Sequence, residues 1–273
     1  MPFYPMKIAF TADVHLNPDH PDRANALAEV LSQVEAEGIQ RLIIAGDLFD
    51  RDNDVAALKD FERTCSQSPS VQVLVIPGNH DESLDPGHVT QGNVQVYREP
   101  IAWELEGITL LLVPYAAGDM GEAIAEKAAE LKGKPWILVG HGDYMSGQRE
   151  PNPHEPGVYM PLTRNDVLEH GPSRVILGHI HKPTPLEKPV DGKVVYVGSP
   201  QGLDVSETGR RRFLTYDLES GRLEERKLQT SALFLQERFF VFPADDEATP
   251  LLVEIAGRID GWGLSQEERS RAR

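Results

Sequence analysis

Five short motifs in the first two thirds of the chain combine carboxylate, amide and imidazole side chains, and each follows an apolar run typical of a β-strand. The motifs are Asp13-Val14-His15, Gly46-Asp47-Leu48-Phe49-Asp50, Gly78-Asn79-His80-Asp81, Gly140-His141 and Gly178-His179-Ile180-His181. The preceding apolar runs span residues 7–12, 41–45, 71–76, 136–139 and 174–177. Open α/β sheets bind their ligands at the carboxyl ends of their strands, so these side chains are expected to meet in one crevice.

The residue types and their spacing favour two metal ions. In the Asp-x-His motif and in the last pair of histidines, alternate residues of an extended chain point to the same side. Asp47, in a tight loop after Gly46, can offer one carboxylate oxygen to each of two ions, and Asn79 adds a neutral oxygen ligand. Each motif alone is more often a cap or a turn. Together they predict a dinuclear site for manganese, iron or zinc, which accept mixed oxygen and nitrogen ligands.

In this order the five motifs resemble those of the calcineurin-like metallophosphoesterase superfamily, over residues 7 to about 218. The resemblance implies two sets of ligands that share Asp47 as a bridge. One ion is expected on Asp13, His15, Asp47 and His181, and the other on Asp47, Asn79, His141 and His179. It also implies two divalent ions, manganese before iron or zinc, and hydrolysis of a phosphodiester by attack of a hydroxide that bridges them.

The remaining polar residues of the motifs are expected to assist this chemistry. His80 resembles the family histidine that meets the leaving group, so it is the candidate general acid. Asp50 and Asp81 are expected to orient histidine ligands by accepting a hydrogen bond from the second ring nitrogen. The other histidines have no partner motif and are expected at the surface: His20, His88, His154 and His170.

Apolar patterns predict the elements that position these motifs. Helices are expected over residues 23–37, 54–66, 120–132 and 163–171, and strands over 93–97, 103–106 and 108–113. After the last histidine motif, strands without helices are expected over 193–197, 212–218 and 223–229. A β/α half followed by a β-rich half predicts two sheets packed face to face with helices outside. The resemblance implies the same α/β (α+β) fold, a four-layer metallophosphoesterase sandwich of two mixed sheets.

The phosphoesterase domain is expected to span residues 1–229, followed by a short C-terminal extension over residues 230–273. Within this extension, residues 251–259 are expected to form a helix. Such a segment is too small for the capping domain that many relatives carry.

Composition limits the class and the partners of the protein. Its 273 residues are 40% hydrophobic and 26% charged, as in ordinary globular chains. No apolar run reaches the ~18 residues of a membrane span, no secretory signal is evident, and Cys65 is the sole cysteine, so a cytoplasmic location is expected. The net charge of −16 argues mildly against tight binding of duplex DNA. The basic stretches 210–212 and 269–273 are interpreted as a solvated strand edge and a frayed tail.

Further details resemble the SbcD-type DNA repair exonucleases. These are the segments 46–50, 73–81, 178–183 and 196–200, and Pro114-Tyr115 after a strand. That group commonly has a glycine at the position of Asn17, and it has a larger C-terminal apparatus that binds an ATPase partner. The resemblance therefore supports kinship with nucleases better than nuclease activity, and the sequence leaves an ATPase partner open.

Three functions remain open from the sequence. The first is an SbcD-like nuclease or phosphodiesterase that acts on DNA ends or single strands. The second is a phosphatase or phosphodiesterase for a small nucleotide or lipid headgroup. The third is a non-catalytic scaffold that uses the apolar segment 232–242, and it is disfavoured because every expected ligand is present. In the loop 142–161, Tyr144, Arg149 and His154 are candidate substrate contacts, although an ordinary solvated connection is favoured.

Overall fold

The computed structural model describes residues 6–105, 107–146, 157–229, 232–243 and 246–273. The strands in these ranges are β1 (Lys7–Thr11), β2 (Arg41–Ala45), β3 (Gln72–Ile76), β4 (Val94–Val96), β5 (Ile101–Leu105), β6 (Ile108–Val113), β7 (Trp136–His141), β8 (Tyr144–Met145), β9 (Leu162–Thr163), β10 (Arg174–Gly178), β11 (Val194–Tyr196), β12 (Arg212–Asp217) and β13 (Leu223–Lys227). The helices are α1 (Pro21–Ala36), α2 (Val55–Ser66), α3 (Met120–Leu131), α4 (Arg164–His170), α5 (Ala248–Gly261) and α6 (Gln266–Arg271). A 3₁₀ turn covers Pro86–His88.

Two mixed sheets form the centre of the fold. The first has the order β13-β12-β1-β2-β3-β4, with β12 antiparallel to β1 and to β13. The second has the order β11-β10-β7-β6-β5, with β5 antiparallel to β6. The strands after the last histidine motif do not form a sheet of their own, because β11 extends the second sheet while β12 and β13 extend the first.

Apolar side chains on both faces of each sheet produce four layers. Between the sheets, buried residues of β1, β2 and β3 pack against those of β6, β7 and β10. A second cluster joins the first sheet to α1 and α2, and a third joins the second sheet to α3 and α4. Full burial of one such side chain stabilises the fold by about 1.5–3 kcal/mol. The predicted α/β four-layer sandwich is confirmed.

The predicted helices are observed with shifts of a few residues at their ends. Asp54 caps α2 by accepting hydrogen bonds from two backbone amides, at 2.9 and 3.0 Å. Thr163 and Asp166 form a capping box at the start of α4, and Gly171 ends that helix with φ = +63°. Helix α5 starts three residues earlier than expected, because Pro250 lies in its first turn, where the missing N–H is not needed.

The interpretations of the basic stretches are wrong except at Arg210, which is exposed as expected. Arg211 and Arg212 are 2% and 6% exposed, although they were expected at a solvated edge. Each pairs with a carboxylate and donates to a backbone carbonyl oxygen, which offsets part of the cost of burying a charge. Nε of both side chains has no hydrogen-bond partner among the described residues. The segment 269–273 is not frayed either, since Arg269 forms an ion pair with Asp260 and Arg271 pairs with Glu267.

Residues 232–243 and 246–273 contact one another and the sandwich. Leu233 exchanges backbone hydrogen bonds with the end of α6, and Arg210 forms an ion pair with Glu268. The aromatic side chains of Phe240 and Phe242 remain 77% and 79% exposed. The boundary at residue 230 stays a prediction.

None of the helices in the described ranges combines the length and the apolar character that crossing a membrane requires.

Candidate metal centre

The motif residues converge at one edge of the sandwich, where five strands of the two sheets end. The motif residues contributed by the first sheet follow the strands β1, β2 and β3. The motif residues contributed by the second sheet lie at the end of β7 or directly after β10. The eight residues brought together are Asp13, His15, Asp47, Asn79, His80, His141, His179 and His181. The predicted convergence of the side chains is therefore observed, whereas their role as metal ligands stays a prediction.

One oxygen of Asp47 faces both halves of the cluster. Its Oδ2 lies 3.6 Å from Nε2 of His15 and 3.3 Å from Nε2 of His141. Two triads of donor atoms include Asp47, one with His15 and His80 and the other with His141 and His179, and the atoms of each triad lie within 4.8 Å of one another. This placement suits a carboxylate shared by two cations.

Asn79 and Asp13 complete the set of oxygen donors. Oδ1 of Asn79 lies 2.9 Å from Nε2 of His141 and 3.2 Å from Nδ1 of His179. Oδ1 of Asp13 accepts the backbone N–H of His179 at 2.7 Å. Oδ2 of Asp13 is buried without a hydrogen-bond partner among the described residues. A buried carboxylate oxygen in this state is costly unless a cation satisfies it.

Two imidazoles are oriented with one nitrogen toward the cluster. Nδ1 of His141 lies 3.0 Å from the carbonyl oxygen of Ala45, which only accepts, so Nδ1 carries the proton. Nδ1 of His181 lies 2.7 Å from a carboxylate oxygen of Glu207. In both residues Nε2 is therefore the atom predicted to bind metal. Nε2 of His181 lies 3.1 Å from Nε2 of His15, so a shared proton or cation is needed between these two nitrogens.

Electrostatics at the centre also favour cations. Burial lowers the pKa of His15 to about 3, which keeps this imidazole in the neutral form that binds metals. Burial raises the pKa of Asp13 to about 6. Burial disfavours the charge of Asp47, yet His141 and His15 hold the pKa of this carboxyl below its usual value. Burial likewise opposes the charge of His141, but the Asp47 carboxylate raises its pKa to about 10. Without metal, a proton supplies the positive charge that the carboxylates require.

The backbone at the centre is held in a strained conformation. Of the seven described non-glycine residues with a left-handed φ, four belong to the motifs: Asp13, His15, Asp47 and His179, at φ = +49° to +88°. Such strain persists where the surrounding structure enforces it, and it concentrates at functional sites. A Cβ on Gly46 would lie 2.0 Å from Nδ1 of His141, so only glycine lets the two strand ends approach this closely.

Asp50 lies close to His15 but beyond hydrogen-bond distance of its Nδ1, so the role of Asp50 in orienting a histidine stays a prediction. Its Oδ1 is 3.7 Å from Nδ1 of His15, and its carboxylate accepts hydrogen bonds from Asn17 at 2.9 Å and Arg23 at 3.0 Å. Asn17, which stands where a glycine is common in the exonucleases, therefore supports Asp50. Arg23 also donates to the backbone carbonyl of His15 at 2.8 Å.

Asp81 has a different set of contacts from the expected one. Its carboxylate accepts backbone N–H groups from Leu48 at 2.6 Å, Phe49 at 3.1 Å and Gly78 at 2.6 Å. It thus holds the loops after β2 and β3 together instead of accepting a hydrogen bond from an imidazole. Burial and the nearby Asp47 raise its pKa to about 7. The sequence did not indicate this role, because it depends on amides up to 33 residues away.

His80 lies at the border of the cluster and is half-buried. Its Nδ1 is 3.0 Å from the carbonyl oxygen of Asp50, so Nδ1 carries a proton and Nε2 is the atom left for proton exchange. Its backbone N–H donates to Oδ1 of Asp47 at 3.0 Å. The two contacts fix His80 beside the cluster.

Sequence reasoning missed two acids at the centre, the buried Asp143 and the partly buried Glu207. Glu207 accepts a hydrogen bond from His181 at 2.7 Å and from Ser199 at 2.9 Å, and it lies 3.2 Å from Arg211. Burial opposes its ionisation, but His181 and Arg211 lower its pKa to about 2. Asp143, two residues after His141, has Oδ1 3.8 Å from Nε2 of His179. The sequence could have indicated a role for Asp143, because this residue lies close to the His141 motif. Nothing in the sequence around Glu207 indicated a role beyond its charge.

The other candidates of the sequence have more ordinary surroundings. Tyr144 donates its hydroxyl to Asp191 at 2.8 Å, away from the motif residues. Arg149 and His154 lie outside the described residues. His20 and His88 are exposed, as expected, and His170 is half-buried.

Known proteins resemble this chain in sequence and in fold. The family described as Calcineurin-like phosphoesterase matches residues 6–183. The chain is 28% identical over 220 residues to the uncharacterized metallophosphoesterase YhaO of Bacillus subtilis, covering 73% of this chain and 51% of that protein. The chain thus spans about half the length of this relative. It is 26% identical over 211 residues to UDP-2,3-diacylglucosamine hydrolase of Aeromonas salmonicida, covering 69% and 82%.

Solved structures share the fold at low sequence identity. A dimetal phosphatase from Danio rerio superposes with a TM-score of 0.56 at 12% identity, covering 82% of this chain and 96% of that one. The protein TT1561 of Thermus thermophilus superposes with a TM-score of 0.53 at 16% identity, covering 81% and 98%. At these identities the likeness concerns the architecture alone.

Proposed function

The chain belongs to the calcineurin-like phosphoesterase family, and from this premise we propose that it hydrolyses phosphodiester bonds at a centre that holds two divalent metal ions. The observation that carries the proposal is the position of Asp47, whose Oδ2 faces His15 on one side and His141 on the other. Around this carboxylate, the nitrogen and oxygen donors form two sets, and Oδ2 of Asp13 is buried without a hydrogen-bond partner among the described residues.

We assign one set of ligands to each ion, and Asp47 belongs to both sets. One ion would be held by Asp13, His15, Asp47 and His181. The other would be held by Asp47, Asn79, His141 and His179. When bound, such ions activate water and neutralise the charge of the phosphoryl oxygens. Manganese is the first candidate, and iron and zinc fit the same donors.

We assign His80 the role of proton donor to the leaving oxygen. The carbonyl of Asp50 holds its Nδ1–H, so His80 would act in its imidazolium form, with the second proton passing from Nε2 to the leaving oxygen. An alkoxide that leaves a diester needs this proton, because it is a strong base. The side chain of His80 therefore supports diester hydrolysis.

We favour a nucleic-acid end or a single strand as the substrate, as in an SbcD-like nuclease, because the resemblance in the motifs points to that group. An ATPase partner and a cytoplasmic location remain predictions. The second candidate is a small phosphodiester or phosphomonoester, such as a nucleotide or a lipid headgroup. The net charge of −16 favours this alternative, as does the likeness to UDP-2,3-diacylglucosamine hydrolase.

The test supplies manganese-loaded protein with labelled single-stranded DNA, duplex DNA, bis-p-nitrophenyl phosphate and a nucleotide monoester, with Asp47→Asn as control. Stepwise degradation of DNA that the variant lacks is the expected result. Hydrolysis of the small diester with DNA intact would favour the second candidate. Absence of metal-dependent hydrolysis of all four would contradict the proposal.

A further inference from the structure

A cavity of about 320 Å³ lies at the start of α2, between the loops that follow β2 and β3. The same two loops that follow β2 and β3 and carry Asp47 and His80 also form its walls, together with the start of α2. Phe49 and Leu84 form a buried apolar floor, and Leu58 of α2 adds an apolar wall. The rim carries Asp52 and His88, both exposed.

Hydrogen bonds attach this cavity rigidly to the centre. The carboxylate of Asp81 accepts the backbone N–H of Phe49, so the floor is fixed to the loop of His80. Farther out, the backbone N–H of Ser83 donates to Oδ1 of Asp52 at 3.2 Å and joins the two loops again. The cavity is thus a fixed part of the edge on which the candidate ligands lie.

We propose that this cavity binds the nucleobase of a nucleotide substrate, next to the phosphodiester held at the metal centre. The proposal rests on the proposed function and names the substrate class of that site. Since His80 would protonate the leaving oxygen, and the cavity lies in the loops around His80, the group attached to this oxygen extends into the cavity.

Size and chemistry of the lining favour a base over the other candidate occupants. The volume accepts a nucleobase with part of its sugar, and the apolar floor with the imidazole of His88 offers surfaces for stacking. Asp52 can accept N–H groups of a base edge, but it would repel a second phosphate. Oγ of Ser83 is buried and has no hydrogen-bond partner in the described part of the chain, which supplies one more group for a polar ligand. An acyl chain would use none of these polar groups.

Substitution at the mouth tests the cavity without touching the centre. Val55 lines the cavity and is 64% exposed, so Val55→Trp adds an indole that occupies the space at little cost to folding. Val253, on α5 and 69% exposed, provides the matched control Val253→Trp away from this edge. Asp52→Asn keeps an acceptor for Ser83 but removes the negative charge and one acceptor oxygen.

The experiment measures binding of adenosine and of octanoate to the manganese-loaded full chain by calorimetry. We expect adenosine to bind with a Kd near or below ~1 mM, Val55→Trp to weaken it by about tenfold or more, Asp52→Asn to weaken it less, and Val253→Trp to match the unchanged chain. Octanoate should not compete. Adenosine binding that is absent, insensitive to Val55→Trp, or displaced by octanoate would overturn the proposal.

Turnover separates this proposal from the proposed function. Bis-p-nitrophenyl phosphate carries no base, so its hydrolysis reports the metal centre alone. A protein that hydrolyses this diester but does not bind adenosine would refute the base site only. A protein that binds adenosine through the cavity but hydrolyses no diester would refute the proposed reaction and leave the binding site in place.

Discussion

The carboxylate of Glu207 lies 2.7 Å from Nδ1 of His181, 26 residues earlier in the chain, and fixes the orientation of that imidazole. Arg211 holds the arrangement from both sides, because it donates to the carbonyl oxygen of His181 at 2.9 Å and forms an ion pair with Glu207 at 3.2 Å. The loop after β11 is thereby tied to the end of β10. A histidine ligand supported in this way binds metal more tightly, since its orientation is fixed and its basicity raised.

Replacing Glu207 with alanine should weaken metal binding by about 10–100-fold, because His181 loses the acceptor for its Nδ1 proton. Glu207→Gln retains an acceptor oxygen and should recover part of the affinity. Titration calorimetry with manganese measures both. Glu37→Ala, which breaks an ion pair with Arg226 far from the motifs, is the control. Metal affinity of Glu207→Ala equal to that of Glu37→Ala would show that Glu207 has no part in positioning.

The substitution His80→Gln should reduce hydrolysis of a dinucleotide by about 10²-fold or more, because the alkoxide then leaves without a proton. Bis-p-nitrophenyl phosphate should lose less, since p-nitrophenolate is a stable anion that needs little protonation. Steady-state rates for both diesters, with metal content measured in parallel, give the comparison. His170→Gln is the control. Equal losses on the two diesters would argue against His80 as the acid.

Gly46→Ala should lower both folding stability and metal content, because its Cβ would meet Nδ1 of His141 at 2.0 Å. The ring must move and give up its hydrogen bond to Ala45, and such buried disruptions typically cost about 1–3 kcal/mol. Gly107→Ala is the matched control, because Gly107 has φ = +92° and Gly46 has φ = +86°. A Cβ on Gly107 would meet no atom within 4 Å in the described part of the chain. Urea unfolding should therefore separate the two variants. Equal losses would attribute the effect to backbone strain alone.

Much of the centre was predictable because each motif follows directly on a buried strand. The strand pattern of 41–45 and 136–139 places Asp47 and His141 at strand ends, and parallel strands deliver such ends to one edge. The sequence did not predict which sheet each of the strands β11, β12 and β13 joins. Nothing in the local sequence of β12 distinguishes pairing with β1 from pairing with β11. That choice depends on long-range packing between the sheets.

The buried arginines show why charge alone misleads. Arg211 and Arg212 were expected in solvent because charged side chains are rarely buried without partners. Their partners are Glu207, Glu225 and backbone carbonyls brought near by the fold. The positioning role of Glu207 was missed for the same reason, because its contact with His181 joins residues 26 positions apart in the chain.

In the chelated protein, the contribution of Asp13 to folding stability should decrease as the pH rises from about 4 to about 6. Burial raises the pKa of Asp13 from 3.8 to about 6 in the folded chain, so the folded state binds more protons than the unfolded state in this range. Folding therefore loses stability as this carboxyl ionises. Thermal unfolding of the unchanged chain relative to Asp13→Asn, across this pH range and with a chelator, isolates the effect. A constant difference between the two melting temperatures would contradict it.

The most direct test of the two-metal account is the number of manganese ions bound per chain, measured together with turnover of bis-p-nitrophenyl phosphate. Asp47→Asn is compared with Asp60→Asn, which alters only a surface ion pair with Arg63. We predict two ions and metal-dependent turnover for the unchanged chain and for Asp60→Asn. For Asp47→Asn we predict fewer than two ions and no turnover. An Asp47→Asn variant that binds two ions and keeps full activity would contradict the account.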